Sequence, residues 1–181
     1  MNASDIRCFV LDVDGVLTDG RLYYGDGPQP LRAFHIHDGL AIRCFQKVRG
    51  PVVILTGKES TAVRTRAAEL GIEHVLAGST DKLADLTKLL ASLQIPLSAA
   101  AMMGDDLPDL AAMMSVGYPI APANAVEPVR DAARYVTSRA GGDGAVREAI
   151  ERLLAPGGQW SRIVSEYQAG ASRGVSVEEN A

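Results

Sequence analysis

The stretch FVLDVDGVLTDG, residues 9–20, is an apolar run that ends abruptly in two acids, Asp12 and Asp14. Short continuous apolar runs bounded by turn residues are typical of strands that are buried on both faces of a parallel sheet. Ligands of such sheets bind beyond the carboxyl ends of the strands. The two acids therefore predict a functional site at the end of the first strand, and residues elsewhere in the chain must meet them there.

Beyond this stretch, short β-type runs alternate with longer segments that have helical spacing of apolar residues. Predicted strands cover residues 6–13, 51–56, 74–77, 99–104, 117–121 and 135–137, and predicted helices cover residues 39–49, 59–70, 81–93 and 107–115. Gly71 and Pro96 follow two of these helices, where helix stop signals are expected. The alternation predicts an α/β fold, a doubly wound, Rossmann-like parallel sheet with helices on both faces.

One segment interrupts this alternation. Residues 20–39, GRLYYGDGPQPLRAFHIHDG, predict two short strands around a Gly/Pro-rich turn at residues 25–30, and so a β-hairpin over about residues 20–37. The small, polar residues at the end of the chain predict a flexible tail over residues 168–181. We expect residues 1–167 to form a single domain, because a chain of 181 residues suffices for one core.

Composition excludes several classes of function. Apolar residues make up 47% and charged residues 22% of the chain, as in ordinary globular proteins. The net charge of −4 leaves no surplus of Lys and Arg to neutralise phosphates, so we expect no nucleic-acid partner. The absence of a run of about 18 apolar residues predicts no membrane span, and the N-terminus does not read as a signal peptide. Cys8 and Cys44 lie in apolar segments and are expected to be free, buried thiols in the cytoplasm.

Polar residues of different kinds follow four of the predicted strands. They are Asp12 and Asp14, then Thr56 and Gly57, then Lys82, and finally Asp105, Asp106 and Asp109. Because the carboxyl ends of parallel strands meet at one edge of the sheet, we expect these side chains to come together. They would supply a nucleophile, a hydroxyl donor, a cation and a carboxylate cluster.

Phosphoryl transfer is the chemistry that suits this set. Mg²⁺ is bound by one or two carboxylates, waters and substrate phosphate, so we expect a metal site at Asp12 and Asp105, with Asp14 counted in the same metal set. With the ion and Lys82 flanking the phosphate, Asp12 is placed to attack phosphorus and form an aspartyl-phosphate. Thr56 and backbone N–H groups would hold the remaining oxygens, and Asp14 would serve as the general acid and base.

Each of these residues also has a purely structural alternative. Asp12 and Asp14 could cap a turn, and Lys82 could be a surface lysine. Asp105 and Asp106 could begin a helix, where acids favour the helix dipole, and this role is compatible with metal binding. Asp109 either orients the site or is a solvated helix residue.

Two further features are weighed in the same way. His35 and His37, read as residues on one strand face, suggest a metal pair, but no third His or Cys lies nearby, so packing within the hairpin or substrate contact is favoured over zinc. In AGGDGAVRE, residues 140–148, Asp143 is expected to cap a helix, with substrate-proximal backbone as the alternative. The segment lacks the Lys-Ser/Thr ending of a P-loop.

The segments DVDGVLTDG, LTG and GDDLPD, with Lys82 before the last of them, resemble the four motifs of the haloacid dehalogenase superfamily of phosphatases. The resemblance covers residues 8–154. HDGLAIR and AGGDGAVRE are similar to the small, capless 3-deoxy-D-manno-octulosonate 8-phosphate phosphatase family. This resemblance implies an Mg²⁺-dependent sugar-acid phosphatase of lipopolysaccharide precursor synthesis. It also implies a homotetramer in which the hairpin is a flap and a neighbouring subunit closes the site.

The chain departs from this family where His37, Lys58 and Asp143 stand in place of the more usual Arg. Lys58, next to Thr56 and Gly57, is still expected to bind substrate or phosphate. Fewer cations could weaken a grip on the sugar-acid carboxylate, so a nine-carbon sugar-acid 9-phosphate or another small phosphomonoester remains an alternative substrate. A non-catalytic tetramerising module is a third possibility.

Overall fold

The protein was analysed as a computed structural model that describes residues 2–24, 26 and 30–170. Its six strands are β1 (Cys8–Leu11), β2 (Val52–Thr56), β3 (His74–Ala77), β4 (Ala100–Met103), β5 (Tyr118–Ala121) and β6 (Tyr135–Val136). They form one sheet in the order β3-β2-β1-β4-β5-β6, and every neighbouring pair is parallel. Each strand predicted for the sheet corresponds to an observed one, so the predicted doubly wound α/β fold is confirmed.

The helices cover both faces of the sheet. They are α1 (Ile36–Val48), α2 (Thr61–Glu69), α3 (Lys82–Ser92), α4 (Leu110–Ser115), α5 (Glu127–Ala132), α6 (Ala145–Leu154) and α7 (Gln159–Gln168). The first four match the predicted helices, except that residues 107–109 form a 3₁₀ turn ahead of α4. Helices α5 and α7 were not predicted, and α6 was expected only as the helix that Asp143 would cap. Helix α7 includes the first residue of the predicted tail, and residues 171–181 lie outside the described part of the chain.

The core is divided between the two faces of the sheet by the side-chain alternation of its strands. In β1, Phe9 and Leu11 join the cluster packed against α1, α2 and α6, whereas Cys8 and Val10 join the cluster packed against α3 to α5. All four are fully buried, and burial of a large apolar side chain contributes about 1.5–3 kcal/mol. Cys8 and Cys44 are free and buried, as predicted.

Helix α6 is capped by a residue of another helix. Asp38, buried in the first turn of α1, accepts a hydrogen bond from the backbone N–H of Arg147 at 2.7 Å. The residue before α6 is Gly144, whose φ of +91° turns the chain away from Asp143. The prediction that Asp143 caps this helix is therefore wrong, and Asp143 is exposed.

The predicted hairpin is present only in part. Tyr23 and Leu31 form an antiparallel bridge with a backbone hydrogen bond of 2.9 Å, whereas most of the predicted turn, at residues 25 and 27–29, lies outside the described residues. The second predicted strand is wrong at its end, because α1 begins at Ile36. His35 is the N-cap of α1, and its Nδ1 accepts the backbone N–H of His37 at 3.3 Å, so the two histidines do not share a strand face.

Within the part of the chain that the structure describes, every helix falls short of the length and apolar character needed to cross a membrane.

Candidate active site

The candidate site lies where the order of the strands reverses. From β1 the chain proceeds outward through β2 and β3, and it then returns to place β4 on the other side of β1. Asp12 directly follows β1, and its N–H donates to the carbonyl of Met103 at the end of β4. Asp105 follows β4 by two residues, so the two acids meet at the crevice where ligands of doubly wound sheets bind.

Three carboxylates converge in this crevice. One oxygen from each of Asp12, Asp105 and Asp109 lies within 4.8 Å of the other two. Gly15 makes room for them, because a Cβ at this position would lie 1.9 Å from Oδ2 of Asp105. Its φ of +93° also favours glycine. The structure thus brings Asp12 and Asp105 together, as predicted.

Lys82 is buried between two of these acids. Its Nζ lies 2.8 Å from Oδ1 of Asp12 and 2.6 Å from Oδ1 of Asp109, and its side chain is 8% exposed. As the first residue of α3, it reaches the site from the strand-end loop after β3. The alternative that Lys82 is a surface lysine is wrong.

Asp109 orients the cluster. It is 1% exposed, and its Oδ2 accepts the N–H groups of Asp105 and Asp106 at 3.1 and 3.3 Å. The alternative that it is a solvated helix residue is therefore wrong. Asp106 is exposed and accepts the N–H of Leu107, so its expected role at a helix start holds.

Crowding of the acids makes their ionisation costly. Burial, followed by the charge of Asp109, raises the pKa of Asp12 to about 6, although Lys82 opposes this shift. Burial and the charges of Asp12, Asp109 and Asp106 raise the pKa of Asp105 to about 7. For Lys82, burial disfavours the cation, but the neighbouring acids outweigh it and raise its pKa. The cluster has more negative charge than Lys82 alone can compensate.

Asp14 faces a different set of partners. Its carboxylate accepts hydrogen bonds from Arg32 at 2.9 and 3.4 Å and lies 3.6 Å from Nζ of Lys58. Partial burial favours the protonated acid, but Arg32 and then Lys58 outweigh it and lower the pKa of Asp14. Among the described residues the three converging carboxylates do not include Asp14, so its place in the metal set stays a prediction.

Arg32 was missed by sequence reasoning. It lies in the flap segment, whose Gly/Pro-rich turn indicated a hairpin but gave no indication of which side chain would point inward. The only available signal in the sequence was that Arg32 is a cation in the segment that follows Asp12 and Asp14.

The predicted residues line one cavity of about 710 Å³. Its walls include Asp12, Asp14, Thr56, Gly57, Lys58, Lys82, Asp105 and Asp109. Thr56 is buried at the end of β2, and its hydroxyl accepts the N–H of Lys58 at 3.4 Å. Serine and threonine residues of the loop before α3, Ser79 and Thr80, add further hydroxyls that were not predicted.

The glycine-rich loop supports this site from behind. The N–H of Gly142 donates to the carbonyl of Val16 at 3.0 Å. A Cβ on Gly141 would lie 1.8 Å from the carbonyl oxygen of Gly15, so only glycine allows this approach. The loop therefore holds the turn that carries Asp14.

The donor set at the strand ends fits a magnesium ion. Both oxygens of Asp109 already accept hydrogen bonds. Within the described residues the carboxylate oxygens of Asp105 accept none, so they are free to bind an ion. Carboxylate oxygens at an open cavity are the ligands Mg²⁺ prefers, and a dication would relieve the repulsion that raises the pKa values of Asp12 and Asp105.

Comparison with known proteins agrees with this site. Residues 53–150 match the haloacid dehalogenase-like hydrolase family. The 3-deoxy-D-manno-octulosonate 8-phosphate phosphatase of Salmonella typhi is 43% identical over 152 residues, which cover 84% of this chain and 81% of that protein.

Two solved structures show the same fold. The 3-deoxy-D-manno-octulosonate 8-phosphate phosphatase of Moraxella catarrhalis, in complex with magnesium, phosphate and KDO, has a TM-score of 0.89 and 38% identity, covering 92% of this chain and 95% of that one. The cobalt-bound deoxy-D-mannose-octulosonate 8-phosphate phosphatase of Haemophilus influenzae has a TM-score of 0.82 and 34% identity, covering 85% and 90%. The chain belongs to the haloacid dehalogenase-like hydrolases, in the branch that contains the 3-deoxy-D-manno-octulosonate 8-phosphate phosphatases.

Proposed function

We propose that this protein is an Mg²⁺-dependent phosphatase that hydrolyses 3-deoxy-D-manno-octulosonate 8-phosphate to the free sugar acid and phosphate. The observation that carries this proposal is the convergence of Asp12, Asp105 and Lys82 at the switch point of the sheet, with Asp14 one turn away. Relatives that are similar to this chain in sequence and fold are named as phosphatases of that substrate. The family connection supports a role in lipopolysaccharide precursor synthesis.

The residues support a two-step reaction. Oδ of Asp12 attacks phosphorus as the bond from phosphorus to the ester oxygen breaks. Asp14, which must first take up a proton against its lowered pKa, gives that proton to the leaving alkoxide. Asp14 then takes a proton from water, whose oxygen attacks the aspartyl-phosphate and releases phosphate and Asp12. Lys82 and Thr56 are placed to hold phosphate oxygens, with Gly57 supplying backbone at the same wall. Mg²⁺ supplies charge neutralisation that lets the carboxylate approach the phosphate dianion.

The positions that depart from the family pattern do not all lie at the cavity. Lys58 lines it and keeps a cation beside Asp14, which supports its proposed role in binding substrate or phosphate. His37 and Asp143 are exposed at the starts of α1 and α6. Lys58 thus still supplies a positive charge for an acidic phosphoester, and the preference for the eight-carbon acid over a nine-carbon one rests on the substrate named for the relatives.

The test is phosphate release from a panel of esters, measured with saturating Mg²⁺ and with a chelator. The panel contains 3-deoxy-D-manno-octulosonate 8-phosphate, a nine-carbon sugar-acid 9-phosphate and a hexose phosphate. We expect kcat/KM for the eight-carbon ester to exceed the others by about 10-fold or more, since a site built around a substrate's polar groups rejects mismatched ones. Preference for another ester would show that the proposed substrate is wrong. No release from any ester would favour the non-catalytic tetramerising module.

We also propose a homotetramer assembled through the flap. The flap and the start of α1 expose large apolar side chains, of which Tyr24 is 79% and Ile36 is 75% exposed. A two-stranded hairpin is marginal alone in water, and contiguous apolar surface favours association. We therefore expect four chains to assemble and to bury this surface between them.

Light scattering tests this assembly. We expect wild-type protein at four times the chain mass, and Tyr24→Glu combined with Ile36→Glu at a lower mass, because buried unpaired charge opposes association. Met114→Glu is the matched control, since Met114 is 73% exposed on α4, outside the flap. A wild-type monomer at micromolar concentration would contradict the proposal.

A further inference from the structure

One flap residue is built into the active site of its own chain. Arg32 follows the Tyr23–Leu31 bridge, and although both of its sequence neighbours are exposed, its side chain is 5% exposed. Its Nε and Nη2 donate to the two oxygens of Asp14 at 2.9 and 3.4 Å, and its Nη1 donates to the hydroxyl of Ser60 at 3.1 Å.

This contact differs in kind from that of the other cation beside Asp14. The planar guanidinium bonds a carboxylate in two places and so sets its orientation, which an ammonium acting as a point charge does not. The Lys58 ammonium lies 3.6 Å from Asp14 on a side chain that is 60% exposed. Burying an arginine is unfavourable unless its donors are satisfied, and here Asp14 and Ser60 accept from all three nitrogens.

The orientation of Asp14 matters because little else holds it. Asp14 lies in the turn between β1 and the segment that continues to the flap, next to Gly15 in a left-handed conformation. Its side chain is partly open to the cavity. Within the described residues, the side-chain partners recorded for its carboxylate are Arg32 and Lys58.

We propose that Arg32 is a positioning residue for Asp14: by bridging Asp14 and Ser60 it holds the carboxylate in the orientation needed for proton transfer, and it makes that orientation depend on the position of the flap. The inference rests on the proposed function, in which Asp14 carries the proton between ester oxygen and water. Arg32 itself neither gains nor loses a proton.

Two esters with different leaving groups separate this role from a general loss of structure. The leaving group of a sugar phosphate is a sugar alkoxide, which needs a proton, whereas the leaving group of p-nitrophenyl phosphate is p-nitrophenolate, a stable anion. We expect Arg32→Gln to lower kcat for the sugar phosphate by about 100-fold, the low end of the contribution of general acid catalysis, with KM changed little. The loss of kcat/KM for p-nitrophenyl phosphate, which reports only the first step, is expected to be under about 10-fold, since its leaving anion needs no proton from Asp14.

Three further variants make the test specific. Arg32→Lys is expected to recover little of the lost kcat, because an ammonium keeps the charge but does not bond the carboxylate in two places. In an Asp14→Asn background, adding Arg32→Gln is expected to lower kcat by less than about 3-fold, since the effects of residues that act as a unit are not additive. Arg64→Gln is the matched control, because Arg64 also bonds a carboxylate in two places, that of Glu59, but on the exposed face of α2.

The outcomes separate the two proposals. Wild-type protein that releases no phosphate from either ester would overturn the proposed function and this inference with it. An active wild type whose Arg32→Gln variant loses activity equally on both esters, or loses none, would overturn the inference alone. Additive losses in the Asp14→Asn background would do the same.

Discussion

Replacement of Asp12 with asparagine is expected to lower phosphate release by about 10⁴-fold or more, the scale seen when a nucleophile is removed. Asparagine occupies the same space but cannot form the acyl-phosphate. The fold should persist, because Lys82 keeps its 2.6 Å bond to Asp109 and the variant removes one charge from a repelling cluster. Steady-state assays with saturating Mg²⁺, together with a thermal melt, measure both effects.

Two results bear on the interpretation of this variant. Asp131→Asn, an equivalent change at an exposed acid of α5, is the control and is expected to retain full activity. Turnover by Asp12→Asn within 10-fold of wild type would remove Asp12 from the nucleophile role. A loss of activity accompanied by unfolding would instead assign Asp12 to the structure of the cluster.

The second large effect is a steep pH dependence of Mg²⁺ binding. The pKa of Asp105 is raised to about 7, so below that pH a proton must leave before the ion can bind. We expect the apparent Kd for Mg²⁺ to rise by about 10-fold for each pH unit below 7, the slope for one displaced proton. Calorimetric titration of Mg²⁺ at pH 6, 7 and 8 measures it without any assay of turnover.

The same pKa shift predicts the stability of the metal-free protein. Because the pKa of Asp105 is higher in the folded state than the ordinary value of 3.8, the folded state binds more protons between about pH 4 and pH 7. Metal-free protein should therefore lose stability as pH rises through this range, and added Mg²⁺ should raise the melting temperature more at pH 8 than at pH 6.

Asp105→Asn is the matched variant for both measurements. It should weaken Mg²⁺ binding by about 100-fold and reduce the stability change between pH 6 and pH 7, since the acid with the more strongly raised pKa is gone while Asp12 still titrates near pH 6. If the variant binds Mg²⁺ as tightly as wild type, with the same pH dependence, Asp105 is not the acid for which Mg²⁺ and the proton compete.

Much of the fold was predictable because its signals are local. The apolar runs of β1, β2 and β4 are short and bounded by turn residues, and burial on both faces requires that composition wherever the strands lie in the sheet. The sheet then carries the acids after β1 and β4 to one edge without further information. Helix α6 was expected only as the helix that Asp143 would cap, and α5 and α7 were not predicted, because α5 has only six residues and α7 buries only Ile163.

The errors arise where tertiary contacts override a local pattern. The alternation around His35 suggested a strand, but α1 begins at Ile36, with His35 as its N-cap and Asp38 of its first turn bonded to the backbone of Arg147 in α6. Asp143 is a residue type that often caps helices, yet α6 is capped by Asp38, which accepts the N–H of Arg147 from 109 residues away. Local propensity is a weak guide where a distant residue satisfies the same backbone group.

By itself, the sequence determined which acids end the strands, which hydroxyl and lysine accompany them, and that the strands run parallel, because each follows from composition and period over a few residues. Only the tertiary structure decided the pairings within the site. Lys82 bonds Asp12 across 70 residues and Asp109 across 27, and Arg32 bonds Asp14 across 18. Such contacts depend on how the helices and the flap pack on the sheet, and the burial that gives them their strength is set by the whole fold.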